Sequence, residues 1–288
     1  MKFRRLSLSS RYIFATALLM LASAAACFAQ AGTITASPPP PKPVIKKPTP
    51  TPTPTAVAKG PIKITTPEQV AESAIFLYGF PGGRTTLNQI RKTTLERGKS
   101  SFTNAEGKIE QASYQKYIIR AETLGKERIR LDQDFPTARY SLVFSDEKIF
   151  GIYNNTVFTP REDASKGFEN QIVHGLEALL RYKENESKLE MGEREKIMGV
   201  DFYVVDVTDK QARKTRFYIS ARSFRVLMLT YEDAGVKYKR KFYDYNYAQG
   251  TLVAFRTVLW ANEKIVEESD VGTVTFGQKV DEDLFKAS

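Results

Sequence analysis

Residues 226–260 read VLMLTYEDAGVKYKRKFYDYNYAQGTLVAFRTVLW, and this stretch decides the fold class of the chain. Apolar and polar side chains alternate in three parts of it: Val226–Tyr231, Lys237–Tyr245 and Leu252–Trp260. Alternate side chains of a strand point to opposite faces of its sheet, so the pattern predicts strands with one buried face. The sequences DAG and AQG between these parts are typical of tight turns. We therefore predict three consecutive antiparallel strands.

The same alternation recurs along most of the chain. It predicts further strands at Tyr114–Arg120, Arg139–Phe144, Ile149–Tyr153, Phe202–Val207, Arg216–Ser220 and Val271–Phe276. Ser145-Asp146-Glu147-Lys148 and Asn154-Asn155 supply two more turns. Consecutive strands on short connections are antiparallel, so these strands are expected to pair in one sheet. We therefore predict that residues 66–288 form a single domain. Its class is α+β, mostly β, built on one large curved antiparallel sheet.

Two amphipathic helices are predicted beside the sheet. Thr66-Pro67-Glu68-Gln69 has the residues of a capping box with proline at the first helical position, and Gly79 is a typical helix end. Thr159-Pro160-Arg161-Glu162 indicates the start of a second helix. The apolar stripe of that helix is Phe168, Ile172, Leu176, Leu179 and Leu180. We expect its leucines to cover the concave side of the sheet as a lid.

The N-terminal 65 residues do not resemble a folded domain. Residues 1–31 combine basic residues, an apolar run and Ala29-Gln30-Ala31, which predicts a signal peptide cleaved before Gly32. An alternative is that Cys27, the single cysteine, is lipidated. Residues 32–65 are rich in proline, threonine and lysine, and proline favours extended backbone without helix or inner strand. They are predicted to form a tether, or else a disordered leader without a partner.

The net charge of +10 arises in the N-terminal segment. Residues 1–65 contain nine basic residues and no acidic one, which leaves 34 positive and 33 negative residues in the remainder. Proteins that bind phosphate backbones need an excess of Lys and Arg, because affinity comes largely from neutralised phosphates. The nearly neutral domain therefore argues against a nucleic-acid partner.

Residues that could carry out catalysis are scarce. His174 is the single histidine and is interpreted as an ordinary helical residue, so metal clusters and triads that need histidine are excluded. Glu267 and Glu268 are interpreted as solvated surface. Asp206 and Asp244 lie in apolar strands without an evident second carboxylate. We predict a protein that is not an enzyme and that needs no metal and no cofactor.

Apolar and aromatic side chains are abundant instead, and a curved sheet has a concave face that its own side chains do not fill. For each strand we take the more apolar of its two alternating sets to face inward. Together with the lid leucines, the candidates for a lipid cavity are Leu176, Leu179, Leu180, Phe202, Val204, Phe217, Ile219, Val226, Met228, Phe242, Phe255 and Leu259. A bulge in a strand would reverse some of these assignments.

The order of several segments resembles a known family. The segments are VFSDEKIFGIY at 143–153, MGVDFYVVDV at 198–207, RSFRVLM at 222–228, FYDY at 242–245 and VDEDLF at 280–285. A predicted export signal and an N-terminal helix precede these segments in the chain. This order of elements resembles that of the periplasmic lipoprotein-carrier superfamily, which has the LolA/LolB-like fold. Outer membrane lipoprotein-sorting proteins belong to it.

The resemblance implies an incomplete antiparallel barrel with amphipathic helices as a lid over a hydrophobic cavity. The implied function is a periplasmic or exported carrier or sorting protein of the cell envelope, with lipid or lipoprotein acyl chains as its partners. The N-terminal segment could also tether it to a membrane. An alternative is an envelope signalling or scaffold protein that uses the same fold to contact another protein. Anti-sigma regulators of the superfamily resemble such a protein.

Overall fold

The computed structural model describes residues 64–103 and 106–286. The predicted signal peptide, Cys27 and all but the last two residues of the predicted tether lie outside this part. The helices are α1 (Pro67–Tyr78), α2 (Arg84–Ile90), α3 (Glu162–Val173) and α4 (Glu177–Leu180), with 3₁₀ turns at Leu124–Lys126 and Glu282–Phe285. Within the described ranges, none of the helices has the length and apolar character needed to cross a membrane.

Fourteen strands form one antiparallel sheet in the described residues. They are β1 (Thr93–Thr103), β2 (Ile109–Ile119), β3 (Arg128–Asp134), β4 (Arg139–Ser145), β5 (Lys148–Tyr153), β6 (Thr156–Phe158), β7 (Lys188–Met191), β8 (Glu195–Ile197), β9 (Val200–Thr208), β10 (Lys214–Ser220), β11 (Val226–Asp233), β12 (Val236–Ala248), β13 (Thr251–Ala261) and β14 (Lys264–Phe276). The order is β6-β5-β4-β3-β2-β1-β14-β13-β12-β11-β10-β9-β7, and β8 also pairs with β9. The two ends do not pair with each other, so the predicted incomplete barrel is confirmed.

The tight turns follow from residues that tolerate a left-handed backbone. Both central residues have positive φ at Asp146-Glu147, Asn154-Asn155, Ala234-Gly235 and Gln249-Gly250. Two consecutive positive φ values match the twist of a two-residue hairpin, which is why Asn and Gly are favoured there. These four hairpins are the ones that the sequence predicts.

Helix α1 has the predicted boundaries. The Thr66 hydroxyl accepts a hydrogen bond from the Gln69 backbone N–H at 3.3 Å, and the Gln69 side chain accepts one in return from the Thr66 N–H. Gly79 ends the helix with a bond from its own N–H to the Ile75 carbonyl. Val70, Ala74 and Tyr78 are fully buried, so this face of α1 is part of the core.

The second predicted helix is two helices. Helix α3 ends at Val173, and α4 begins only at Glu177. Gly175 lies in the gap, where an added Cβ would stand 2.7 Å from the Gln171 carbonyl oxygen. His174 is the C-cap of α3 rather than an interior residue. The apolar stripe is consequently divided, with Phe168 and Ile172 on α3, and Leu179 and Leu180 on α4.

The helices pack on the concave face in two separate places. Helices α1, α2 and α4 cover β9–β13, where Phe217, Ile219 and Leu229 are completely buried. Helix α3 covers β2–β4 through Phe168 and Ile172. A third cluster, Phe202, Val204, Tyr218 and Met228, lies on the opposite face of β9–β11.

The Tyr78 hydroxyl joins α1 to the sheet. It lies 2.9 Å from the hydroxyl of Tyr245, accepts a bond from the Val226 N–H at 3.4 Å, and is fully buried. Tyr245 in turn donates to the Val226 carbonyl. The two tyrosines therefore hold the start of β11 at a place where it lacks a ladder partner on β12.

We expect Tyr78→Phe to lower the free energy of unfolding by about 1–2 kcal/mol, because a buried backbone N–H then loses its acceptor. Urea denaturation measures the change. Tyr247→Phe is the control, since Tyr247 is 50% exposed and its loss of a hydroxyl should change stability by less than about 0.5 kcal/mol. Equal stability of Tyr78→Phe and the wild type would contradict this assignment.

Candidate functional site

A cavity of about 240 Å³ lies between the two places where helices pack on the sheet. We call it the central cavity. Its walls come from β1, β2, β3, β12, β13 and β14, and the break between α3 and α4 borders it through Gly175 and Leu176. Leu131 and Phe242 also line it, one from each helix-covered core. The central cavity is thus the part of the concave face that no helix fills.

The wall of the central cavity is partly polar. Strand β1 contributes Thr94, Glu96 and Ser100. The Tyr114 hydroxyl donates to Glu96 Oε1 at 2.8 Å, and the hydroxyls of Ser100 and Ser269 lie 2.7 Å apart. Burial, together with the charge of Glu96, raises the pKa of Tyr114, so its hydroxyl remains a donor. Apolar side chains from Ile118, Val271, Val274 and Phe276 complete the wall.

Three charged side chains meet at one end of the central cavity. Arg91 Nη1 and Arg120 Nη2 both bond to the same oxygen, Glu177 Oε1, at 2.9 and 2.6 Å. Burial opposes the charge of Glu177, but the charges of Arg120 and Arg91 outweigh it and lower the pKa of this carboxyl. The three side chains therefore form an ion-pair cluster with one excess positive charge.

A second ion pair lies farther along the wall. Arg240 Nη2 bonds to Glu267 Oε2 at 3.3 Å, and Gln171 of α3 donates to the same oxygen at 3.4 Å. Glu267 is only 8% exposed, so its interpretation as solvated surface is wrong. It lies on the inner face of β14, where Arg240 and Gln171 satisfy its charge.

Two further cavities lie beside the central cavity, beneath α3. One of about 420 Å³ shares Leu131, Gln133 and Glu267 with it. The next, of about 590 Å³, shares Tyr140, Leu142 and Ala164 with the second and is mainly apolar. We call this third one the aromatic pocket.

Aromatic rings line the route to the aromatic pocket. Phe135 stacks on Tyr140 with ring centroids 5.8 Å apart, and Phe102 lies 5.9 Å from Phe135. The Phe158 ring meets Tyr140 edge-on at 6.5 Å. The three cavities therefore form a row on the concave face, with charged groups at one end and aromatic rings at the other.

The predicted cavity residues occupy five different environments. Leu176 and Phe242 line the central cavity, and Leu259 lines the second cavity. The residues packed in the core beneath α1, α2 and α4 are Leu179, Leu180, Phe217, Ile219 and Val226. Phe202, Val204 and Met228 lie in the cluster on the opposite face of the sheet. Phe255 is half-buried in β13 and lines none of these cavities.

The prediction that these strand residues share one face is therefore wrong for Phe202, Val204 and Met228, which lie on the opposite face. Directly paired residues of antiparallel strands point to the same face, and Phe217 pairs with Val205 rather than Val204. Strand β9 is apolar on both faces, so choosing the more apolar set failed there. On β11, the register shifts between Val226 and Met228 and places them on opposite faces.

The charged residues of the central cavity were missed in the sequence. Arg91 follows α2, Arg120 follows β2 and Glu177 begins α4, so each stands at the end of an element where charge is ordinary. Their meeting depends on contacts 29 or more positions apart in the chain. Glu267 offered the one local signal, as an acidic residue within the apolar alternation of β14.

The other titratable residues noted in the sequence have structural partners or lie at the surface. Asp206 is buried and paired with Arg216 and Lys214 at 2.7 Å each. Asp244 is exposed in β12, where its φ is 52°. In residues 64–103 and 106–286, no three His, Cys, Asp or Glu side chains are grouped to hold a metal ion.

Several solved structures are similar to this chain. No protein-family model and no curated protein matches it. A DUF1329 family protein from Desulfovibrio piger aligns with a TM-score of 0.56 and 15% identity, over 77% of this chain and 98% of that one. A LolA superfamily protein from Nitrosomonas europaea aligns with a TM-score of 0.54 and 12% identity, over 77% and 98%.

His174 anchors the end of α3 to the sheet. Its Nδ1 lies 2.7 Å from the Thr215 hydroxyl, and its ring stacks on Tyr231 with centroids 4.0 Å apart. Burial, reinforced by the charge of Arg213, lowers its pKa from 6.5 to about 4, while Asp209 and Asp233 act in the opposite direction. The imidazole is therefore neutral at pH 7.

We expect His174 to make stability depend on pH. Between its unfolded and folded pKa values, the unfolded chain binds a proton that the folded chain does not, so stability falls as pH falls. The contribution lost between pH 7 and pH 5 is about 2 kcal/mol. Urea denaturation of the wild type and His174→Gln at both pH values measures it. An identical pH dependence in the two proteins would contradict the prediction.

Proposed function

From the LolA-like fold, which the sequence resemblance predicted, we propose that this chain binds lipid or lipoprotein acyl chains as a carrier or sorting protein of the cell envelope. The observation that carries the proposal is the row of three adjacent cavities on the concave face, from the partly apolar central cavity to the aromatic pocket. A binding role, without catalysis, is what this arrangement suits.

The size of these cavities supports an acyl ligand. Each methylene transferred from water to apolar surroundings contributes about 0.8 kcal/mol, so a chain enclosed over part of its length is held and can still be released. The aromatic pocket, with Tyr140, Phe158 and the half-exposed Tyr153, offers such a surface close to solvent. The chain would therefore need to open little to take up its ligand.

The test is binding of an environment-sensitive long-chain acyl probe with a neutral headgroup to the purified full chain. Ala254 lines the central cavity, so we expect Ala254→Trp to weaken binding at least about fivefold by filling that space. Ile265→Trp is the control, because Ile265 is 43% exposed and lines none of the three cavities.

Absence of probe binding to the wild type would overturn the proposal. The alternative, an envelope signalling or scaffold protein, would then be preferred, because the fold would serve contact with another protein. Equal binding by the wild type and Ala254→Trp would place the ligand outside the central cavity and would contradict the assignment of this site.

We also propose that the chain is exported and that residues 1–31 are removed. The basic start, the apolar run and Ala29-Gln30-Ala31 support this. In the alternative form with a lipidated Cys27, residues 32–65 would tether the folded domain to the membrane.

N-terminal sequencing and mass spectrometry of the protein purified from the envelope should give a mature chain that starts at Gly32. A lipid-modified Cys27 as the first residue would instead support the lipidated form. An intact Met1 would contradict export with cleavage.

A further inference from the structure

The donors at the charged end of the central cavity outnumber the acceptors that face them. Arg91 and Arg120 share one oxygen of Glu177, and Arg91 Nη2 also donates to the Leu252 carbonyl at 2.9 Å. The Nε groups of both arginines are buried and have no hydrogen-bond partner. Glu177 Oε2 is also buried without a partner. The single carboxylate therefore leaves part of both guanidinium forks unused.

The whole central cavity has the same imbalance of charge. Its charged lining residues are Arg91, Lys116, Arg120, Arg240, Glu96, Glu177 and Glu267. Four are cationic and three are anionic. Because Glu267 is paired with Arg240, the excess lies with Arg91, Arg120 and Lys116. An additional anion would balance the charge of the cavity.

The two arginines are fixed in position by the sheet. Arg91 is the C-cap residue of α2 and lies two residues before β1. Arg120 follows β2, and its backbone N–H donates to the Lys92 carbonyl at 2.9 Å. The Arg91 guanidinium also lies over the Phe276 ring, 5.3 Å from its centroid. Their side chains are only 7% and 9% exposed. The cationic half of the cluster is therefore held in place before any ligand arrives.

Glu177 differs from the arginines in how firmly it is held and in how exposed its side chain is. It begins the four-residue helix α4, next to the break that includes Gly175, and its side chain is 32% exposed. Its carboxylate is buried at Oε2, so the exposed part is the stem of the side chain. A side chain that already reaches solvent can turn its carboxylate toward water at smaller cost than arginines that are 7% and 9% exposed. The anionic half of the cluster is the part that a ligand could replace.

We propose that Arg91 and Arg120 bind the anionic headgroup of an amphiphilic ligand, and that Glu177 occupies this position when no ligand is bound. This inference rests on the proposed acyl-binding function. The headgroup is a carboxylate or a phosphate, since both match the planar fork of arginine. The apolar tail lies along the row of three cavities toward the aromatic pocket.

The first experiment compares two ligands with equal tails. Palmitate and hexadecanol compete with the neutral probe for the purified full chain. Because its carboxylate makes charge-assisted hydrogen bonds to the two arginines, palmitate should bind at least about tenfold more tightly than hexadecanol. Equal competition by both would overturn this inference and leave acyl binding intact. Failure of both to compete would overturn the inference and the proposed function together.

Substitutions then test the roles of the individual residues. Glu177→Gln removes the resident carboxylate, so palmitate should bind about threefold to tenfold tighter while hexadecanol is unchanged. Arg120→Met combined with Glu177→Gln keeps the charges balanced and should abolish the preference for palmitate. Glu190→Gln is the matched control, because Glu190 is 48% exposed and pairs with surface lysines. An unchanged preference in the double variant would overturn the assignment.

Inorganic phosphate distinguishes a headgroup from a free anion. Added alone at about 10 mM, it should leave the advantage of palmitate in place, because two hydrogen-bonded arginines without apolar contacts hold a small anion weakly. If phosphate removes that advantage, the site binds free anions, and the assignment to an amphiphile is overturned. Circular dichroism spectra confirm that each variant is folded, and the comparison of ligands on the wild type needs no variant.

Discussion

The concave face of a fourteen-stranded sheet is larger than four short helices can cover. Helices α1, α2 and α4 bury the half formed by β9–β13, and α3 buries the half formed by β2–β4. What remains between them is bordered by Gly175 and Leu176 in the break between α3 and α4. Because a sheet cannot compress to close such a gap, the cavity is a geometric consequence of how the helices are divided. Its position at the helix break follows from the same division.

The polar wall of this gap explains several otherwise unusual residues. Burying Glu96, Glu267 or the two arginines costs free energy unless each charge has partners. Tyr114, Arg240, Gln171 and Glu177 supply most of those partners across neighbouring strands or from the helices. The same contacts join α3 and α4 to the centre of the sheet. Charge pairing and attachment of the helices are thus one network.

The sequence predicted most of the strands that have one apolar face, although β3, with Ile129 and Leu131 buried, was missed. The hairpins, the cap of α1 and the large antiparallel sheet were expected from local patterns, and the family resemblance implied that the sheet is not closed. Strand β1 was not expected, because its inner residues Thr94, Glu96 and Ser100 line the polar wall and remove the apolar alternation. The cavity residues were harder still. Each strand was assigned a face separately, whereas the register between β9 and β10 and the bulge in β11 determine the faces together.

The two strands at the ends of the sheet are short. Strand β6 has three residues and β7 has four, and β7 carries Lys188 and Glu190, both of which point charges outward at the edge. A foreign chain that tries to extend a sheet needs a long row of free backbone groups and a flat approach. Neither edge offers these. The sheet can therefore stay open without becoming a template for aggregation, and its open form leaves room for the cavities on the concave face.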